Sequence, residues 1–274
     1  MVAEAALENS LNGWYFKMVQ NAVKRFEITG TGLKTIAVVT MLIDHIAAGF
    51  LLYWLNQQTD VDVFNHYRTV YMVMRRIGRM AFPIYCYMLV EGFLHTSNLT
   101  KYVQRILTMA VVSELPFDLA LRWKLIDWTH NNVMWELALG LLVLLAIHSV
   151  LYKTEDAIKD ERLRRVLAAA IMLAGMGIGH LLQLDYSEGG IACISVMYFL
   201  YGVTKEQRLT SFGMGVLMLA LMSGNIEVFA FIMLIPFFFY NGKRGRDSKF
   251  LRVFFYTFYP LHLIIIYIAR LILL

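Results

Sequence analysis

The chain has 274 residues, 59% of them hydrophobic and only 16% charged, with a net charge of +5 and a mean hydropathy of +0.57. A soluble domain carries roughly 45–50% apolar and about 25% charged residues; the excess here lies in long apolar blocks, which excludes an ordinary soluble core and favours membrane spans. The basic residues fall mostly in short segments between those blocks, where they orient a membrane protein, and no RNP motif, zinc signature or Walker loop occurs, so no nucleic-acid partner and no metal are expected.

Residues 1–31 lack a basic start, an apolar run and a small-residue cleavage site, so they do not read as a cleaved signal. Trp14, Tyr15, Phe16, Lys17, Lys24, Arg25 and Phe26 instead predict an interfacial amphipathic segment. Residues 32–274 then form one membrane domain, with apolar blocks at 33–55, 70–94, 102–121, 133–152, 165–184, 189–203, 209–222, 226–240 and 252–273. These predict an all-α, polytopic transmembrane helical bundle of about nine spans, within a range of roughly eight to eleven. The three blocks between 189 and 240 are the shortest and fit short, tilted or re-entrant helices.

The charges predict a cytoplasmic N-terminus. On that topology the inner segments hold Lys34, Lys101, Arg105 and the basic clusters at 153–165, 205–208 and 243–252. The outer loops hold only Arg68, Arg122 and Lys124, with Arg75, Arg76 and Arg79 at the outer start of span two, and the loop with Asp185 and Glu188 is acidic. Such an asymmetry is the positive-inside pattern of a multi-pass membrane protein. Trp54, Trp123, Trp128 and Trp135 fall at outer interfaces, where amphipathic rings settle. Cys86 and Cys193 lie inside apolar blocks and read as small buried hydrophobes.

In span one, Asp44 and His45 stand near the middle of TMLIDHIAAGF. A charged carboxylate there costs about 2.5–3.5 kcal/mol on insertion scales, so the pair marks either a polar pocket or a structural ion pair. Adjacent residues point about 100° apart on a helix; Asp44 and His45 therefore need separate partners on other helices. His45 titrates nearest neutrality and is the candidate general base. Span two opens with RRIGRMAFP, where Arg76 and Arg79 share a helical face and Pro83 predicts a kink just beyond. These arginines either snorkel to headgroups, hold an anionic ligand, or pair with Asp44, Glu91, Glu114 or Asp118. Lys101 and Arg105, one turn apart at the inner start of span three, can cradle phosphates or serve as topology charges. Glu114 and Asp118 flank Pro116 in SELPFD, the pattern of a broken helix facing a cavity. Asn131 and Asn132 open span four; His180, Asp185, Tyr186, Gly189 and Gly190 predict one turn and Ser223, Gly224 and Asn225 another. The last span carries Tyr259, Pro260 and His262 near its inner side, with His262 a weaker candidate than His45.

Taken in order, LKTIAVVTMLIDHI, RRIGRMAFPIY, LVEGFLHTSNLTKYVQRIL, SELPFDLAL, a D-Y-x-x-G-G turn and FYPLHL resemble the TraX family over residues 32–264. That family is named for a membrane protein that acetylates the N-terminus of conjugative F-pilin, and it is similar in turn to the integral-membrane acyltransferases that modify surface sugars. The resemblance implies a cytoplasmic acyl-CoA donor, acetyl-CoA in the simplest case, with His45 as catalytic base and Asp44 assisting it. It implies CoA phosphates on Lys101 and Arg105, where the wider family has an arginine pair; the lysine here offers a point charge rather than a fork. Arg76, Arg79 and Lys34 are further candidates for the donor side. Glu91, Glu114, Asp118, Asp185, Tyr259 and His262 are candidates for the acceptor side, the acceptor being a peptide N-terminus, a sugar or a lipid. Direct transfer and a histidine-bound acyl intermediate are both consistent with this chemistry. Two other classes fit the buried charges: a proton-coupled transporter, which predicts paired interrupted spans in two related halves, and a non-catalytic assembly scaffold in which Asp44 and His45 join helices.

Overall fold

The computed structural model describes residues 26–154 and 157–274. The interfacial segment expected at 1–31 lies almost wholly outside the described residues. Among those described the only regular structure is helical, with two isolated bridges, Ile28 to Tyr240 and Asn131 to Leu184.

Local sequence sets where the helices begin. Helix α1 (Gly30–Leu55) starts behind Thr29, whose hydroxyl accepts from the Gly32 amide. Asp60 caps α2 (Val61–Gly78), and α3 (Ala81–His95) follows after a two-residue break. Asn98 caps α4 (Leu99–Phe117), which runs on through a π turn at Asp118–Arg122. Asn132 caps α5 (Val133–Lys153) and Asp160 caps α6 (Glu161–Leu181). Helix α7 (Ser187–Phe199) is followed by α8 (Lys205–Ser223), where Thr204 and Gln207 form a capping box. A 3-10 segment, Asn225–Met233, leads into α9 (Leu234–Phe238), and Ser248 caps α10 (Lys249–Leu273). Side-chain oxygens at these positions satisfy amides that a helix start leaves open.

The helices run back and forth between two ends. At one end Ile28 donates to Phe239 and Gly30 to Lys243. At the other, Tyr53 meets Trp123, the Asn131 side chain donates to the Leu182 carbonyl, and Ser223 donates to the Tyr186 carbonyl. Helix α7 is the axis, with Gly189–Ser195, Met197 and Tyr198 all buried. Close packing around it uses small residues: a Cβ on Gly140 would meet Ile194, and one on Gly215 would meet Met197. Cys86 and Cys193 are fully buried in this core. Outward, α6 exposes Leu163, Val166, Leu173 and Leu181, and α10 exposes Leu261, Ile265, Ile268 and Leu271. Apolar faces of that extent on a monomer fit lipid contact.

Among the described residues four helices are long and apolar enough to cross a membrane: α1, α5, α6 and α10. The expected single span at 70–94 is corrected. It is two helices, α2 and α3, parted at Arg79 and Met80. Pro83 does not kink a helix; it stands in the first turn of α3, where its missing amide costs nothing. Nor does Pro116 break α4, which stays helical and loosens only into the π turn beyond. Gly189 and Gly190, expected in a turn, are buried in the first turn of α7, where a Cβ would strike Ser223 and Glu136 respectively. The turn at Ser223–Asn225 is present, with Gly224 at φ 110°.

Candidate functional site

Asp44 and His45 are both buried just past the middle of α1, shortly before a π turn at Ala47–Leu51. The 100° between neighbours sends them to different helices, as their spacing predicts. Asp44 faces α2, where Arg75 Nη1 donates to its Oδ2 at 2.6 Å and Arg79 Nη2 to the same oxygen at 3.1 Å. Arg79 Nη1 reaches on to Glu227 Oε1 at 3.1 Å. Gly78 makes this approach possible, because a Cβ there would lie 2.1 Å from Asp44 Oδ1. Buried charges persist only when paired and hydrogen-bonded, and two guanidiniums against two carboxylates meet that condition.

His45 faces α10. Its Nδ1 lies 2.6 Å from Nε2 of His262, whose own Nδ1 lies 2.7 Å from the Phe258 carbonyl. The two ring planes differ by 4° and their centroids are 4.9 Å apart. That separation is the N···N distance plus two ring radii, so the rings lie edge to edge in one plane. A carbonyl only accepts, so His262 carries its proton on Nδ1 and accepts at Nε2. Nδ1 of His45 is then the donor, and Nε2 of His45 keeps its lone pair. Tyr259 packs its ring against both imidazoles at 6.0 and 5.7 Å.

A cavity of about 210 Å³ joins these groups. Asp44, His45, Arg75, Arg79, Arg122 and Asp185 supply its charged or basic lining, with Tyr71, Tyr85 and Tyr186 beside them. Asp185 accepts no hydrogen bond from any described residue, whereas Tyr186 stacks on Phe82 at 3.7 Å and lies under Arg79. The lining includes Leu52, Leu121, His130 and Val133, all at the end of the bundle where α1 finishes. We call this the mouth end.

The other expected site residues are distributed differently. Arg76 is not in the cavity; its guanidinium covers the Phe229 ring at 5.1 Å. Arg79, expected near an outer interface, stands beside Asp44, deep within the length of α1. Glu114 is held by Asn132 and by Trp135 Nε1 at 2.8 Å, and Asp118 accepts the Asp127 amide at 2.9 Å. Neither acid lines the cavity, so the broken-helix expectation is not met. At the opposite end Glu91 accepts from the Tyr240 hydroxyl at 2.7 Å, with Lys34 electrostatically close. Lys101 and Arg105 line a separate groove of about 430 Å³ with Gln104, Thr108, Met109 and Tyr256. His262, expected near the inner side, is the direct partner of His45.

Arg75 enters the sequence reading only as a charge at the start of span two, and Glu227, Gly78 and Arg270 do not enter it as site residues. Arg75 shares a face with Arg79 through i,i+4 spacing, a signal as good as the i,i+3 spacing of Arg76. Glu227 is an acid inside an apolar block, the same signal that marks Asp44. Gly78 and Arg270 gave no signal beyond their identity. Arg270, six per cent exposed, donates to the carbonyls of Gly49, Leu119 and Ala120.

The loop over the mouth is built around Asp127. Thr129, through hydroxyl and amide, and then Arg122 and Lys124 hold its carboxyl well below the usual carboxylate range. A depressed folded pKa means that the unfolded chain takes up the proton first as pH falls. The contribution is therefore complete above the unfolded value near 4 and is lost below it. Thermal stability in detergent should decline progressively as pH falls below about 4, and Asp127→Asn should flatten that decline. An equal slope in the variant would show that Asp127 is not its source.

The profile of the family described as TraX protein matches residues 29–270. A curated relative from Dichelobacter nodosus, named "Probable fimbrial assembly protein FimC, serogroup H1", is 28% identical over 270 residues, covering 90% of this chain and 98% of the relative. No solved structure matches.

Proposed function

Because the chain belongs to the TraX family, we propose that it is an integral membrane acyltransferase that moves an acyl group, most simply acetyl, from cytoplasmic acyl-CoA to an acceptor amine or hydroxyl. On this reading the protein lies in the inner membrane of a bacterium, with about nine spans and its N-terminus in the cytoplasm. The observation that carries the reading is the chain Phe258 carbonyl, His262, His45. It leaves a basic Nε2 on His45 beside a charged cavity, which is what a general base requires.

Nε2 of His45 takes the proton from the acceptor N–H or O–H as that atom attacks the thioester carbonyl carbon. The negative charge that develops on the carbonyl oxygen is met by Arg75, which spends Nη1 on Asp44 and has donors to spare. The C–S bond then breaks, and His45 returns its proton to the departing thiolate. His262 is a positioning residue: it fixes the tautomer and plane of the His45 ring. The charged and tyrosine-rich lining of the cavity suits acetyl and a reacting amine better than a long apolar acyl chain.

The donor's phosphates suit the groove at Lys101 and Arg105. Arg105 and the cavity residue Phe117 are twelve residues apart, about 18 Å along α4, so the thioester would reach His45 along the seam between α4 and α10. Purified protein with labelled acetyl-CoA should release free CoA at a rate that falls about 100-fold or more in His45→Ala. His262→Ala should fall less and shift the pH profile. Equal rates for wild type and His45→Ala would remove the assignment.

A second reading has its own support. The relative from Dichelobacter nodosus is named as a fimbrial assembly protein, and the Asp44 and His45 contacts join α1 to α2 and α10. On that reading this chain acts in pilus assembly without catalysis. Wild-type protein that supports assembly but turns over no acyl-CoA, with His45→Ala impaired only in folding, would establish it.

A further inference from the structure

The segment between α4 and α5, residues 123–132, buries a carboxylate at its tip and displays apolar side chains around it. Asp127, four per cent exposed, gathers the Thr129 hydroxyl at 2.6 Å, Arg122 Nε at 3.1 Å and Lys124 Nζ at 3.4 Å, while Lys124, Thr129 and His130 themselves stay exposed. The Asp127 amide is spent on Asp118, and the Lys124 amide donates to the Asp118 carbonyl at 3.3 Å. Its apolar groups turn outward: Leu125 is 68% exposed, Ile126 58% and Trp128 80%. A loop tip in water carries the reverse arrangement, with polar residues outside. The internal network holds this shape; the tip is displayed by construction.

The surroundings identify what meets the tip. Three helices able to cross a membrane end beside it: α1 at Leu55, α5 at Val133 and α6 at Leu181. Asn131 ties the loop to the last turn of α6 through the Leu182 and Gln183 carbonyls, and Leu181 and Leu182 are exposed there too. The apolar tip is thus continuous with the lipid-facing side of α6. The pairs Tyr53–Trp123 and Trp54–Tyr67 stand at the same end, and tryptophan and tyrosine gather where hydrocarbon gives way to headgroups.

We infer that residues 125–128 insert into the headgroup boundary of the bilayer and hold the mouth of the His45 cavity at the membrane surface. Arg122 and His130, which line that mouth, flank the tip in sequence. A molecule entering the cavity then approaches from the headgroup layer rather than from bulk water, whatever reaction follows. The inference does not depend on acyl transfer.

The two native cysteines are fully buried, so a cysteine at the tip can be labelled selectively. Ile126→Cys carrying an environment-sensitive fluorophore would be placed in vesicles of phosphatidylethanolamine and phosphatidylglycerol. Nitroxide lipids should quench the label at least twofold, and aqueous iodide should quench it little. Adding Asp127→Ala should reverse the two quenchers. Full quenching by iodide without quenching by nitroxide lipid places the tip in water and overturns the inference. Protection from both quenchers places the tip under protein and also overturns it. Leu125→Cys gives the same reading independently, should Ile126→Cys fold poorly.

Discussion

Gly78→Ala should be among the most damaging single substitutions in this protein. The added methyl would lie 2.1 Å from Asp44 Oδ1 and 2.2 Å from its Cβ, distances that no rotamer change of the alanine can relieve. Either α2 backs away from α1 or Asp44 leaves Arg75 and Arg79. Overpacking alone costs about 1–3 kcal/mol, and stripping a buried charge of its partner costs about 3–5 kcal/mol. A loss of about 3 kcal/mol or more is expected, visible as a fall of many degrees in detergent melting temperature. Gly177→Ala is the matched control. Gly177 is also helical, but a Cβ there meets nothing within 4 Å, and alanine in a helix interior is favoured by about 0.5–1 kcal/mol. Equal behaviour of the two variants would refute the close approach between α2 and α1.

Arg270→Met is the second large effect. A π turn forms its hydrogen bonds one residue further along than an α turn and leaves carbonyls facing sideways. Two such turns meet at the mouth end, Ala47–Leu51 in α1 and Asp118–Arg122 in α4. Arg270 supplies both, donating to Gly49 at 3.3 Å, Ala120 at 2.9 Å and Leu119 at 2.7 Å. The rings of Tyr53, Trp123 and Tyr267 surround its guanidinium. Methionine keeps the apolar stem and removes every donor. Each hydrogen bond to a charged group is worth about 1.5–3 kcal/mol, so a net loss of about 3 kcal/mol is expected even with partial compensation by water. Arg270→Lys should recover only a part, since one ammonium cannot reproduce the fork. The first π turn begins two residues after His45, so the variant should also disturb the His45–His262 pair. A folded Arg270→Met protein with unchanged melting temperature would show that the carbonyls find other donors.

The sequence readings that held rest on costs a bilayer imposes locally. An Asp in the middle of an apolar block is expensive wherever the block sits, so Asp44 declared a pocket or an ion pair before any neighbour was known. The angle between consecutive helical residues separated Asp44 from His45 without further information. The same logic overlooked Glu227, although its block offered the same signal. It also chose Arg76 over Arg75, because i,i+3 and i,i+4 spacings both share a face and only the position of Phe229 and Asp44 separates them.

Some features depend on partners far apart in the chain. His262 lies 217 residues from His45, and its role follows from α10 packing on α1. Hydropathy runs through 70–94 without registering the break at Arg79 and Met80, because it does not see arginines neutralised by another helix. The acids of SELPFD looked like cavity residues because composition cannot tell an acid facing a cavity from one holding Asn132, Trp135 or the Asp127 amide.

By itself, the sequence determined that this is a helical membrane protein with a costly polar centre in its first long helix, since both follow from apolar length and the local cost of charge. Only the tertiary structure decided which groups answer that charge, which nitrogen of His45 is left basic, and toward which end the cavity opens. Those depend on helix faces meeting across the bundle, and a face has no partner until the chain has packed.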